Sequence, residues 1–116
     1  MTIVLPLLTF DAAACCATVT GGVLDVDQAE RIALVFKALG DPTRVRLLSM
    51  IAASDDGEAC ICDLTEPVGL SQPTVSHHMG KLVAAGLATR EQRGKWAYYR
   101  VVPEALETSA RALLPV

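Results

Sequence analysis

The sequence predicts a mainly α-helical domain that carries one small β-hairpin, and three observations lead to this fold class. Apolar residues recur at helical spacing through most of the chain after residue 27. Two short helical segments meet at Gly69 and Ser71, where a helix-ending glycine precedes a hydroxyl that can cap the next helix. After Gly86 the pattern changes to the alternation of two short strands. A helix-turn-helix followed by such a hairpin is a winged helix-turn-helix.

The composition fits one small domain of 116 residues and excludes several classes of protein. With 52% hydrophobic and 20% charged residues, the chain is expected to be globular rather than disordered. The formal net charge of -3 argues against a basic coat protein for nucleic acids, but not against a local basic face. Basic residues cluster after the turn at Gly69 and acidic residues before it, an asymmetry that can orient a dimer on DNA.

Two regions are expected along the chain. Residues 1–26 are rich in Ala and Thr and lack sustained periodicity, which predicts a flexible N-terminal arm that carries Cys15 and Cys16. Residues 27–116 are expected to form the DNA-binding and dimerisation domain. The first residues do not fit a signal peptide, because no basic residue occurs in the first 30 positions and Pro6 interrupts the apolar run. No stretch nears the ~20 apolar residues of a membrane span, so we expect a cytoplasmic protein with reduced thiols.

The first two helices follow from local patterns. The first is predicted by apolar residues at helical spacing: Ile32, Val35, Phe36 and Leu39. Gly40 ends this helix, and Asp41 followed by Pro42 begins the next as N-cap and first-turn residue. The second helix is expected to bury one stripe, made of Val45, Leu48, Ile51 and Ala52. Arg44 and Arg46 are expected to remain in solvent on its other side.

The remaining elements begin with a third helix, whose apolar face contains Ile61, Leu64 and Val68. Ser71 caps the fourth helix, and its buried positions are Val75, Met79 and Leu82. Residues 87–92 and 96–101 are expected to form two strands joined by a charged tip. Pro103 then begins a last helix with an apolar stripe that has no obvious partner in the same chain: Leu106, Ala110, Leu113 and Leu114.

The fourth helix is the expected DNA-reading element. If Val75 faces inward, the outward positions at about 100° per residue are Ser76, His77, Gly80 and Lys81. Ser76 suits a base or a phosphate, and Lys81 suits a phosphate. His77 is expected to face DNA, while His78 is expected to cap the edge of the core, because neighbours on a helix diverge too far to share a metal ion. Gly80 costs about 1 kcal/mol of helix stability relative to Ala, which indicates close approach of the duplex or a softer helix.

The hairpin tip carries two further candidate DNA contacts. Arg93 and Lys95 flank Gly94 and are expected to contact the DNA backbone or the minor groove. The alternative for both is an ordinary solvated hairpin tip.

Four segments, in order, resemble the ArsR/SmtB family of metal-responsive transcriptional repressors, and most of all the arsenical-resistance operon repressors. They are VFKALGDPTRVRLL (35–48), ACICDL (59–64), GLSQPTVSHHMGKL (69–82) and RGKWAYYRV (93–101). The resemblance covers roughly residues 30 to 105. It implies a homodimer formed through the first and last helices, which binds double-stranded operator DNA and is released by an inducer. It also implies that Gln72 and Thr74 face the duplex.

Cys60 and Cys62 are soft metal ligands directly before the two-helix motif. In an ideal helix their sulfurs would point about 200° apart. Sulfurs that share one ion must lie within about 4 Å of each other, given metal–sulfur bonds of ~2.3 Å. A shared ion is therefore expected to require that the start of the helix is frayed or unwinds, which would disturb the support of the reading helix.

The resemblance assigns Cys60 and Cys62 to a metal or metalloid site. The adjacent pair Cys15 and Cys16 resembles arsenite sensors in which the arm supplies two of three sulfurs, and we favour As(III), with Sb(III) as its analogue. Four thiolates would instead suit Cd(II) or Pb(II), as in other sensors of the family. Zinc and nickel members carry Asp and His ligands on the last helix, but residues 103–114 contain neither.

Two other functions are weighed against this one. A thiol redox switch would join Cys15 or Cys16 to Cys60 or Cys62, but no basic residue lies within several positions of any cysteine to stabilise a thiolate. An enzyme is not expected, because the sequence lacks a Cys-x-x-Cys, a phosphate-binding loop and paired catalytic carboxylates.

Overall fold

A computed structural model describes residues 17–115 of the chain. Its elements, in chain order, are α1 (Val26–Leu39), α2 (Pro42–Ala53), a 3-10 turn (Asp55–Gly57), β1 (Glu58–Cys60), α3 (Ile61–Val68), α4 (Gln72–Ala84), β2 (Ala88–Arg93), β3 (Trp96–Val101) and α5 (Pro103–Leu113). The mainly α-helical fold class with a small β wing is thereby confirmed. The predicted ligands Cys15 and Cys16, and most of the predicted arm, lie outside the described residues.

Side-chain caps fix where three of the helices begin. Asp25 accepts from the Gln28 amide at 2.8 Å, and the Gln28 side chain accepts from the Asp25 amide at 3.0 Å, which forms a capping box at α1. Asp41 accepts from the Arg44 amide at 3.2 Å at the start of α2. Ser71 caps α4, and each such cap stabilises a helix by about 1 kcal/mol.

The wing is a three-stranded antiparallel sheet in the order β1-β3-β2, rather than the predicted two-stranded hairpin. Strand β1 contains only three residues, too few for an alternating pattern, and pairs with β3 from Glu58↔Arg100 to Cys60↔Tyr98. Strands β2 and β3 are joined by a two-residue loop, in which Gly94 has a φ of 64° that a side chain would disfavour. Strand β1, which ends at Cys60, is thus hydrogen-bonded directly to the predicted hairpin.

The core lies between the helices and the inner face of this sheet. Its fully buried large side chains are Leu47, Ile51, Leu64, Val75, Met79, Leu82, Leu87 and Tyr99. The predicted stripe of α2 was partly wrong, because Val45 is 52% exposed and Ala52 is also exposed, while Leu47 is buried instead. The stripe is rotated because α2 packs against α3, α4 and β3 rather than against one neighbour.

Apolar side chains remain exposed on α1 and around α5. Leu34 is 53% exposed on α1, and Leu113 and Leu114 are 54% and 58% exposed at the end of α5. The segment before α1 lies against the end of α5, since the Val19 amide donates to the Ala112 carbonyl at 2.8 Å. Among residues 17–115, no helix is both long and apolar enough to cross a membrane.

Candidate DNA interface and thiol site

Helix α4 has one buried face and one face open to solvent. Val75, Met79 and Leu82 are fully buried at 0% exposure, as the apolar spacing predicts. At its start, Ser71 Oγ accepts from the Thr74 amide at 3.3 Å and lies 2.9 Å from Thr74 Oγ1. The predicted reading residues on this helix are all exposed: Gln72, Thr74, Ser76, His77 and Lys81. The helix therefore presents a continuous polar surface that its own domain does not cover.

Gly80 lies in the middle of this exposed surface. A Cβ built at Gly80 would have no heavy atom within 4 Å among the described residues. Packing inside the domain therefore does not require a glycine here. Both explanations offered by the sequence, close approach of the duplex and a softer helix, therefore remain predictions.

His78 takes part in a contact that joins three elements. Arg44 donates from Nη1 to His78 Nδ1 at 3.0 Å and from Nε to the Ala38 carbonyl at 2.6 Å. Because a guanidinium only donates, His78 Nδ1 acts as the acceptor in this geometry. The prediction that Arg44 remains in solvent was wrong, since its partners on α1 and α4 draw it inward and leave it partly buried.

The two adjacent histidines should respond differently to substitution. His78→Ala removes the acceptor of a partly buried guanidinium and should lower the free energy of unfolding by about 1–3 kcal/mol. His77→Ala is the matched control, because its exposed side chain should change that free energy by less than about 0.5 kcal/mol. Urea unfolding followed by circular dichroism measures both, and equal losses would show that the Arg44 contact does not stabilise the fold.

The wing contains a cluster of charges on the outer face of the sheet. Arg93 donates from Nη1 and Nη2 to the two carboxylate oxygens of Glu58 and also from Nη2 to Glu91 at 2.7 Å. Its guanidinium lies 4.4 Å from the centre of the Tyr98 ring. Arg100 donates to Glu58 Oε1 at 2.9 Å, so one carboxylate serves two arginines. Arg93 is thus held by acidic side chains, whereas Lys81 and Lys95 have no ion-pair partner within residues 17–115.

The same cluster predicts an acid-dependent loss of stability. Hydrogen bonding from Arg93, and the charges of Arg93 and Arg100, hold the pKa of Glu58 below its ordinary value of 4.5. The folded state binds this proton more weakly than the unfolded state, so the stabilisation is complete above pH 4.5 and is lost as the pH falls through the lowered pKa. In urea titrations from pH 6 to pH 3, Glu58→Gln should lose less stability than the parent chain. Parallel curves for the two proteins would contradict this assignment.

The two described cysteines meet where β1 becomes α3. Cys60 is the last residue of β1 and the N-cap of α3, with φ of -75° and ψ of 147°. Its sulfur accepts from the Cys62 amide at 3.3 Å and is paired with the Cys62 sulfur as a disulfide, with 5.2 Å between the two Cα atoms. Cys60 is 3% exposed, whereas Cys62 is exposed.

This geometry corrects the sequence-based argument about the thiols. The ideal helix assumed for both thiols was wrong for Cys60, which has extended dihedral angles and lies before the first helical residue. The two sulfurs therefore meet at the helix start, as the frayed alternative expects, while α3 stays wound. The extended residue brings both sulfurs to one side of an intact helix.

Residues 17–115 contain no group of three or more Cys, His, Asp or Glu side chains placed to hold a metal ion. The Cys60 and Cys62 pair therefore supplies two sulfurs, one fewer than the pyramid of a trivalent metalloid requires. The further sulfurs that the sequence offers, on Cys15 and Cys16, lie just before the first described residue.

Comparison with known proteins links this chain to transcriptional regulators. Residues 41–90 match the family model described as "Bacterial regulatory protein, arsR family". The chain is 45% identical over 71 residues to the arsenic resistance transcriptional regulator ArsR1 of Pseudomonas putida, which covers 61% of this chain and 54% of the relative. It is also 45% identical over 86 residues to the putative arsenical resistance operon repressor ArsR2 of Halobacterium salinarum, with 74% and 70% covered. The chain thus spans about half the length of the first relative and more than two thirds of the second.

A solved structure from Mycobacterium bovis has the same fold. It is described as a homodimeric winged helix-turn-helix DNA-binding domain of a possible ArsR-family transcriptional regulator. The TM-score is 0.63 at 24% identity, over 78% of this chain and 84% of that one. At this identity the likeness establishes the winged helix-turn-helix fold. The matched family model and the P. putida relative are both described as regulators, which agrees with the expectation that the chain is not an enzyme.

Proposed function

Since the chain belongs to the arsR family of bacterial regulatory proteins, we propose that it represses transcription as a homodimer on operator DNA and is released by As(III) or Sb(III) bound to cysteine thiolates. It acts in the cytoplasm, where the operator lies and thiols stay reduced. The observation that carries the proposal is the meeting of the Cys60 and Cys62 sulfurs at the start of α3, the helix that packs against the reading helix α4.

The proposed DNA interface consists of the exposed face of α4 and the wing. The exposed amide and hydroxyls of Gln72, Thr74 and Ser76 suit base edges and phosphates, and His77 lies on the same surface. Lys81 and Lys95 supply positive charge toward phosphates. Arg93 belongs to the same wing, although its guanidinium faces Glu58 in the isolated subunit. A recognition helix in the major groove flanked by a basic wing would bind each half of a two-fold symmetric operator.

The homodimer interface is proposed on α1 and α5. These helices pack together and both expose apolar side chains, including Val26 and Leu113. We infer that a second copy of the chain covers these apolar side chains. The homodimeric state described for the M. bovis structure supports the proposal of a dimer.

The proposed inducer site combines the thiolates of Cys60 and Cys62, which form when their disulfide is reduced by the thiol reductants of the cytoplasm, with Cys15, Cys16 or both. Soft thiolate sulfur is the preferred ligand of trivalent arsenic and antimony. A sulfur bound to the inducer is a poorer acceptor for the Cys62 amide, so occupation weakens the cap of α3. A third sulfur from the proposed arm, residues 1–26, would also bring that segment against the corner between β1 and α3. Both effects act on the helix that supports α4, and thereby lower the affinity for the operator.

Fluorescence anisotropy of a labelled operator tests this function with a panel of effectors. The operator is first selected by the protein from a pool of random-sequence duplexes. Arsenite and antimonite should release it, whereas zinc and nickel should not. Release by cadmium or lead alone would support a four-thiolate site, and release by peroxide alone would support a thiol redox switch. Failure to select any duplex would contradict the proposed repressor.

A further inference from the structure

Arg93 has little freedom to reach DNA in the isolated subunit. Both of its terminal nitrogens donate to carboxylates, as a fork to Glu58 and by one further bond to Glu91. The flat side of the guanidinium also rests 4.4 Å from the centre of the Tyr98 ring. These contacts hold the side chain along the outer face of the sheet rather than beyond the loop at Gly94.

Glu58 would not be left unpaired if Arg93 turned away. Arg100 donates from Nη2 to Glu58 Oε1 at 2.9 Å and is itself fixed by a bond from Nη1 to the Asp56 carbonyl at 2.8 Å. The Glu58 side chain is only 15% exposed, whereas that of Arg93 is 42% exposed. The carboxylate is therefore a fixed and doubly paired acceptor, and Arg93 is the partner that can leave it.

A phosphate offers Arg93 the same forked pair of acceptors as a carboxylate. Ion pairs at an exposed position are weak in water, so exchange of one anion for another has a small cost. We propose that Glu58 is a positioning residue that competes with duplex DNA for Arg93, so that the arginine exchanges the carboxylate for a phosphate when the wing meets the duplex. This inference rests on the proposed DNA-binding function and adds that a carboxylate on β1, the strand that ends at Cys60, limits DNA affinity.

Operator and random-sequence duplexes of equal length test this competition by anisotropy. Glu58→Gln removes the competing charge and should bind both duplexes roughly 3–10-fold tighter at low salt, an effect that shrinks as salt screens the original pair. Asp55→Asn is the matched control, because it removes one exposed carboxylate charge from the 3-10 turn, away from the Arg93 contacts and from the proposed dimer helices α1 and α5. It should alter affinity less than about 2-fold.

The gain must also depend on Arg93. Glu58→Gln combined with Arg93→Ala should bind no better than Arg93→Ala alone, whereas a general loosening of the wing would not obey this rule. If Glu58→Gln does not fold, Glu91→Gln removes one bond to the same guanidinium and should give a smaller gain of about 2-fold. Unchanged or weaker binding by these variants, or a gain that persists without Arg93, overturns the competition alone. Absence of DNA binding by the parent chain overturns the proposed function as well.

Discussion

Replacing both Cys60 and Cys62 with serine should abolish release of the operator by arsenite. For the parent chain, we expect saturating arsenite to lower operator affinity by roughly 5–150-fold, the usual range of coupling between two sites. For the double variant we expect a change within about 2-fold, because a hydroxyl does not replace a soft thiolate. Anisotropy of the labelled operator with and without arsenite measures both values.

Serine is also the substitution that best preserves the fold at this position. Cys60 is the N-cap of α3, and serine is among the preferred N-cap residues, so the helix should still begin at Ile61. Affinity for DNA without arsenite is therefore the internal control and should be retained. If arsenite released the double variant as it releases the parent chain, the inducer site would lie elsewhere.

Met79→Ala should cause the largest loss of stability among the changes considered on α4. Met79 is 0% exposed, and truncation of a fully buried methionine leaves a cavity that lowers the free energy of unfolding by about 2–5 kcal/mol. Because Met79 lies on the buried face of the reading helix, operator affinity should fall as the folded fraction falls. Urea unfolding, followed by a binding titration at a temperature where the variant is folded, separates the two effects.

Gly80→Ala is the adjacent control and should act in the opposite direction. The position is open on all sides within the described subunit, so alanine should raise the free energy of unfolding by about 1 kcal/mol. If the glycine allows close approach to the duplex, the same variant should bind the operator more weakly despite its greater stability. Loss of stability in Gly80→Ala would mean that the helix is more constrained here than its surroundings indicate.

The elements that sequence predicted well are those specified by neighbouring residues. Asp41 and Ser71 each cap a helix through a bond to a residue three positions on, and the buried face of α4 follows from spacing alone. Strand β1 was not predicted, because its three residues are too few to show an alternating apolar pattern. They also pair with residues about 40 positions later in the chain.

The candidate site was predicted in its residue types but not in its contacts. Arg44 and Arg93 bind partners that lie 34 and 35 positions away in the sequence. From their positive charge alone, Arg44 was expected in solvent and Arg93 on DNA, whereas the fold pairs them with His78 and Glu58. The Cys60 and Cys62 pair was identified, yet the distance between its sulfurs depends on one extended residue at a strand end. Whether Cys15 or Cys16 joins this pair stays a prediction.

The most direct test of the central claim is the arsenite affinity of the protein measured twice, once free and once saturated with operator. Coupling between two sites is reciprocal, so the operator must weaken arsenite binding by the same factor by which arsenite weakens operator binding. We predict an arsenite dissociation constant roughly 5–150-fold higher for the operator complex than for the free homodimer. Equal arsenite affinities in the two states would contradict the claim that thiol occupation at Cys60 and Cys62 opposes DNA binding.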